Sequence, residues 1–371
     1  MHTSSLSNRP ARLTPLNVAL IGYGGAGRVF HAPLIAGVPG LKLACIVSSQ
    51  SGAVQRDWPG VPSVASTGEV LANPAIDLVV IATPNASHFE LAQAALQAGK
   101  HVVVDKPCTV TLAETEVLLA LARRQGRVLT VFQNRRFDSV FLALRHVIYS
   151  GQLGRLVQVE SHFDRYRPEV PVRWREQNLP GSGLWFDLGP HLVDQALVLF
   201  GQPDAVLLDQ ANLRDGAQVN DWFHAVLRYD SRHGGLRVIL HASTLVAETG
   251  PRWVAHGTRG SFTKFGLDSQ EDALKTGQRP QLDALGDWGQ DPQPGQLLRI
   301  ENFAGVAAPV SVRTVAPQPA GNYLAWYAQL RDHLLGLAPH PGVTSAQVHA
   351  VMQLLTLGAQ SAASGRFLPV P

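Results

Sequence analysis

Short apolar runs alternate with helical spacings over the first third of the chain. Leu16–Ile21 (LNVALI) is a strand-like run ending in glycines, and Arg28–Ile35 carries a helical pattern up to the Gly37–Gly40 turn. Leu41–Val47 (LKLACIV), Asp77–Ala82, His101–Val104 and Val128–Phe132 predict further strands. Between them Glu90–Ala98 has helical spacing and stops at Gly99, and Thr111–Arg124 is a second helix ending before Gly126. Near-continuous apolar strands separated by helices predict a parallel sheet covered on both faces.

The pattern changes after about Asn134. Phe137–Tyr149 predicts a helix before the Gly151–Gly154 turn, and Leu156–Phe163 alternates as LVQVESHF. Strand-like runs recur at Ala205–Leu208, Trp222–Tyr229, Leu236–Leu240 and Arg252–Val254 with few helices between them. That spacing predicts an open, mostly antiparallel sheet. Residues 266–297, rich in Asp, Gln, Gly and Pro, read as a long excursion, and Tyr323–Leu335 and Thr344–Ala363 as closing helices. The expected fold class is α/β: a doubly wound N-terminal domain over 16–134, then an α+β domain over 135–371. A flexible tail is expected over 1–15.

Composition narrows the partners. At 371 residues with 45% hydrophobic and 16% charged residues, the chain has apolar content enough for two buried cores. It carries 31 Lys and Arg against 28 Asp and Glu, a formal charge of +3, with no long basic run. The densest group, Arg165, Arg167, Arg173 and Arg175, suits a solvated face or a small anionic ligand better than a nucleic-acid footprint. Cys45 and Cys108 have no partner at metal-ligand spacing, so no metal is expected. No apolar leader or membrane-length run is present, which reads as a reducing, cytoplasmic setting without membrane partners.

Gly22-Tyr23-Gly24-Gly25-Ala26-Gly27 sets Gly-x-Gly-x-x-Gly directly after a strand and at a helix start. Gly22 permits the tight turn, Gly24 lets the backbone approach a diphosphate, and Gly27 allows close helix–strand packing. The free N–H groups there, Gly25 and Ala26 included, favour an anion. An NAD site usually carries a carboxylate at the end of the second strand. Here Ser48-Ser49-Gln50-Ser51 stands there, and Asp57 comes later. Hydroxyls tolerate a 2′-phosphate, and Arg28 or Arg56 would add a cation. NADP is favoured over NAD, use of either being the alternative.

Further polar segments follow predicted strands: Thr83-Pro84-Asn85-Ala86-Ser87-His88, Asp105-Lys106-Pro107 and Gln133-Asn134-Arg135-Arg136. Lys106 directly after a buried strand is costly without a task, a salt bridge being the bland reading. Asp187 and His191, four apart at the start of a helix, share a face. Asp187 would orient the imidazole and His191 act as base, while the bland reading is a cap and a satisfied histidine.

GYGGAG, ATPNASH, DKP and DLGPHLVD, in that order, resemble the glucose–fructose oxidoreductase, inositol dehydrogenase and rhizopine-catabolism family, often written Gfo/Idh/MocA. The resemblance runs from about Asn17 to the last helix. GRVFHAPLI, NRRFDS, ESHFDRYRP, VRWRE and GSGLWFDLGPHLVDQ are similar to a bacterial branch that includes NADP-dependent scyllo-inositol dehydrogenases. It implies a Rossmann domain, hydride transfer with NADP or NAD, a sugar or cyclitol substrate, and a homodimer or homotetramer. Lys106 matches the lysine of the family's Glu-Lys-Pro motif, with Asp105 in place of the glutamate, which shortens its reach toward cofactor. Lys106 would then steady the reacting oxygen and His191 take its proton, with Asp187 beside it. Thr83, Pro84, Asn85 and His88 would line the nicotinamide side.

For the substrate, Asp164, Arg165 and Tyr166, with Trp174 nearby, are candidates to read hydroxyls and stack on a ring, helped by Asn134 and Arg136. One pair of the alternating Ser161, Phe163 and His162, Asp164 is expected to face the cleft. Two competing readings remain: a nucleotide-sensing regulator without chemistry, and a reductase of a non-sugar ligand such as a dihydrodiol or linear tetrapyrrole.

Overall fold

A computed structural model describes residues 14–231, 233–301 and 310–371. The expected tail, 1–15, falls almost wholly outside them. The first sheet contains β1 (Leu16–Ile21), β2 (Leu41–Val47), β3 (Ser63–Val64), β4 (Leu78–Ile81), β5 (His101–Val104) and β6 (Leu129–Val131). All its pairings are parallel, in the order β3-β2-β1-β4-β5-β6. The order reverses between β1 and β4, which opens a crevice at their carboxyl ends. Both faces are buried, as the unbroken LVVI and VVV runs require: every residue of β4 is inaccessible to solvent.

The second sheet holds β7 (Leu156–His162), β8 (Ala205–Ala211), β9 (Trp222–Tyr229), β10 (Leu236–Ser243), β11 (Trp253–Gly257), β12 (Gly260–Lys264), β13 (Gln296–Glu301), β14 (Val310–Val315) and β15 (Leu368–Pro369). Its order is β14-β13-β12-β11-β7-β10-β9-β8-β15. Only β7 and β10 pair in parallel; the other pairs are antiparallel. Along β9 burial alternates strictly, one face turned to the helices and the other left half covered.

The two sheets share one apolar core. Phe132, just past β6, meets Trp326 edge-on at 5.0 Å and Tyr327 at 5.6 Å, both from the helix Leu324–Leu334. Thr130 in β6 donates to the carbonyl of Val343, ahead of the last long helix, Ser345–Ser364. A buried pair adds to this clamp: the Arg136 guanidinium holds both oxygens of Asp194 at 2.6 and 2.8 Å.

Helix ends follow local chemistry. Leu112–Arg124 starts at a capping box, with Thr111 Oγ1 accepting from Glu114 N and Glu114 accepting from Thr111 N. Thr111→Ala removes one acceptor and is expected to destabilise the fold by about 1 kcal/mol. An unchanged urea midpoint would show that the box contributes nothing. The helical pattern expected over Arg28–Ile35 is not one α-helix. The chain takes a widened π-type turn at Gly27–His31 and then a short helix, Ala32–Ala36. Pro33 has no N–H to give to the carbonyl of Val29, so regular bonding cannot run through.

Residues 266–297 are also more ordered than their composition suggests. They contain the helix Gln270–Lys275, which packs on the Gly27–His31 turn, and they end in β13. Among the described residues no helix is long and apolar enough to cross a membrane.

Candidate active site

The glycine turn sits at the β1 end of the crevice. Gly22 has φ +99°, and a Cβ there would lie 2.6 Å from the carbonyl oxygen of Ala82 at the end of β4. A Cβ on Gly27 would lie 2.0 Å from the carbonyl oxygen of Gly22, so the turn closes only on glycine. On Gly24 and Gly25 an added Cβ meets nothing within 4 Å, which leaves their N–H groups approachable from outside. This backbone fits a dinucleotide's diphosphate. Gly27→Ala forces the turn apart and is expected to weaken dinucleotide binding at least about tenfold. Titration giving the same Kd would show that the turn does not bear on the nucleotide.

Facing this turn is a cavity of about 280 Å³ lined by Gly25, Ala26, Asp105, Lys106, Asn134, Arg135, Arg165, Asp187 and His191, among others. Lys106 follows β5, and its Nζ donates to Asp187 Oδ1 at 2.9 Å and to the Asp187 carbonyl at 2.6 Å. Asp187 lies in the first turn of the helix Leu184–Phe200. Burial alone would raise its pKa, but the Lys106 ammonium and then the Arg175 guanidinium, 3.7 Å away, hold it well below the usual carboxylate range.

His191 lies one turn further along, buried, with no hydrogen-bond partner at Nδ1 among the described residues. Burial first, then the charges of Lys106 and Arg135, push its pKa well below 6.5. The imidazole is therefore neutral near pH 7. The expectation that Asp187 orients His191 is corrected. The carboxylate is turned to Lys106 and Arg175, because those cations compete for it more strongly than a neutral ring.

Other expected residues fall elsewhere. His88 is fully buried, with its ring nitrogens 2.9 and 3.0 Å from the carbonyl oxygens of Pro107 and Thr83. Burial keeps its pKa below the usual value, so one of those contacts is a donated bond and the ring braces two loops. Asn85 donates to the Gly181 carbonyl, and Thr83 bonds Ser87. Thr83, Pro84, Asn85 and His88 are absent from the cavity lining.

Asp164 is corrected too. Ser161 and Phe163 are buried, while Asp164 and His162 occupy the opposite face of the strand. There Asp164 lies 3.7 Å from His162 Nδ1 and 3.5 Å from His241 Nε2. Tyr166 is exposed and bridges to Leu245, and Trp174 supports the Arg175 guanidinium at 4.8 Å without lining the cavity. Arg136 belongs to the buried pair with Asp194. Ser48 and Ser49 close β2 as read, with Ser48 Oγ accepting from Gln50 N. Asp57 folds back on the glycine turn, accepting from Tyr23 Oη at 3.0 Å and from Arg28 at 2.8 Å. Arg28 is thereby engaged, and Arg56 lies 3.5 Å from the same carboxylate.

The family model for the NAD-binding Rossmann domain of the GFO_IDH_MocA oxidoreductases matches residues 16–133, and the model for their C-terminal domain matches 141–263. The chain belongs to the GFO_IDH_MocA oxidoreductase family. This member is 52% identical to the oxidoreductase YdgJ of Escherichia coli over 94% of its own length and 96% of that protein's. It is 36% identical to the scyllo-inositol 2-dehydrogenase (NADP(+)) IolW of Bacillus subtilis, over 96% of each. The solved structure of the Yersinia pestis protein YPO2259 superposes with a TM-score of 0.88 at 47% identity, covering 96% of this chain and 97% of that one.

Two residues at or beside the site of this GFO_IDH_MocA protein escape a sequence reading. His31 donates to or accepts from Tyr327 Oη at 2.6 Å and lies 3.8 Å from Asp105, whose pKa is brought down to about 2. Burial opposes that drop, and His31 together with Lys106 overcomes it. Glu271, from the supposed excursion, reaches into the cavity and accepts from Arg135 at 2.5 Å. His31 lies within the GRVFHAPLI stretch, but its spacing gives it no role, and Glu271 has no motif around it; only the fold brings them in.

Proposed function

We propose that this oxidoreductase is an NADP-preferring dehydrogenase or reductase that interconverts a ring hydroxyl and ketone of a sugar or cyclitol. The observation that carries it is the placing of Lys106 and a neutral, buried His191 on one cavity with the glycine turn. Nicotinamide, when bound, accepts or returns a hydride. In the oxidative direction His191 takes the hydroxyl proton, and Lys106 donates to the same oxygen as charge develops on it. Asp187 fixes the ammonium in place. Gly22, Gly24, Gly25, Ala26 and Gly27 hold the diphosphate, with Asp105 and Asn134 at the cavity wall.

NADP preference is supported by the hydroxyls of Ser48 and Ser49 at the end of β2, and by the pairing of Asp57 with Tyr23 and Arg28. A dehydrogenase relative that uses NADP supports it further. Purified protein with NADP or NAD and a panel of inositols and aldoses is expected to produce reduced nicotinamide, with higher kcat/KM on NADP. Tight nucleotide binding without turnover of any panel member would favour a nucleotide sensor, and higher kcat/KM on NAD would overturn the preference.

A further inference from the structure

A second cavity, of about 390 Å³, opens beyond the first and shares Arg165, Arg167, Arg173, Arg175, Asp187 and Leu188 with it. No residue of the glycine turn lines it. Its floor is Phe163, and three guanidinium carbons lie about that ring: Arg165 at 4.8 Å, Arg135 at 4.9 Å and Arg252 at 5.0 Å.

Their charges are unequally compensated. Arg135 is held by Glu271 and Asp138, which keep its pKa raised although burial pushes the Asp138 carboxyl up to about 7. Arg173 and Arg214 share Glu176, and Arg214 also takes Asp221. Arg175 shares Asp187 with Lys106. Among the described residues, Arg165, Arg167 and Arg252 have no carboxylate oxygen within 4.0 Å. Burial, then Arg167, brings the Arg165 pKa down to about 10, with Asp187 and Glu271 opposing them only from beyond ion-pair distance. The cavity's remaining acid, Glu169, is exposed at the rim.

Arg165 is half-buried, with the exposed Arg167 beside it; a half-buried cation with no carboxylate in contact is unfavourable in the free protein and is relieved by an incoming anion. Guanidinium forks suit carboxylate and phosphate oxygens. A neutral polyol would leave this charge unmet. We propose that the substrate carries an anionic group, a carboxylate or a phosphate, which Arg165 and Arg167 bind in the second cavity while the reacting hydroxyl lies toward Lys106 and His191. This inference rests on the dehydrogenase reading for the chemistry but not for the anion site itself.

The test is calorimetric titration of NADP-loaded protein with glucose, glucuronate, gluconate, glucose 6-phosphate and myo-inositol, with turnover followed on the same panel. At least one anionic compound is expected to bind about tenfold more tightly than its neutral counterpart. Arg165→Gln is expected to bring the two within about threefold, and Arg165→Lys to recover part of the difference. Glucuronate against glucose 6-phosphate separates carboxylate from phosphate. No preference for an anion, no binding by any panel member, or an Arg165→Gln variant that weakens NADP as much as it weakens the anion would each overturn the inference. Turnover of a neutral sugar without anion preference removes the anion site and keeps the dehydrogenase. Anion binding lost in Arg165→Gln, with turnover of nothing, does the reverse.

Discussion

Replacing His191 with alanine is expected to lower kcat by about 10²–10⁴-fold, the range for loss of a positioned general base. The argument is electrostatic. The ring sits on the second turn of the helix Leu184–Phe200, buried beside Lys106 and Arg135, where a second positive charge is unfavourable. Burial and those cations keep it unprotonated well below 6.5, so the form able to take a hydroxyl proton predominates. The pH dependence follows with a definite sign. A depressed pKa means that kcat/KM for oxidation holds as pH falls from about 8 to 6.5 and declines only below that, as the ring finally protonates. In the reductive direction the same ring must arrive protonated, so reduction is expected to speed up toward acid. Nucleotide affinity, which the glycine turn would set, should move far less than kcat. A His191→Ala enzyme within about threefold of the parent in kcat would remove the base from His191.

Local chemistry made much of this site readable, and distance in the chain hid the rest. The glycine turn, the lysine after β5 and the Asp187–His191 pair each sit within a few residues of a strand end or helix start. Their spacing alone therefore states a geometry that the fold then realises. What spacing could not state is which neighbour wins. Asp187 shares a helix face with His191, yet its carboxylate is drawn to Lys106, 81 positions away in the chain. His88 carries a motif's signature and is nonetheless sealed under the Pro107 loop by two carbonyls. For Asp164, alternation along β7 showed that one of two pairs faces the cleft but held no sign of which. The choice is made by distant arginines, Arg252 meeting Ser161 and both Arg135 and Arg252 lying over the Phe163 ring. The 266–297 segment failed for a different reason. Its composition is that of a loop, and its order comes from contacts such as Gln270 with Trp288 and Tyr323 rather than from periodicity.

Lys106→Met is expected to lower kcat by about 10²–10³-fold, the loss typical of one donor aimed at a developing oxyanion. Two effects would contribute, and they can be separated. The ammonium would no longer meet the reacting oxygen, and Asp187 would lose its strongest counter-ion, keeping Arg175 at 3.7 Å. With Lys106 gone, burial raises the Asp187 pKa, so the single variant is also less stable at neutral pH than the parent. Coupling Lys106→Met to Asp187→Asn removes the stranded carboxylate. Stability should then recover, while kcat stays low if the lysine touches the reacting oxygen. Lys106→Arg gives the complementary result: it keeps a cation for Asp187 but presents a planar, longer fork in place of a compact ammonium, and should restore folding more fully than turnover. Recovery of kcat to within about threefold of the parent in the Lys106→Met/Asp187→Asn enzyme would mean that Lys106 serves only as the partner of Asp187. Proton transfer would then rest on His191 alone.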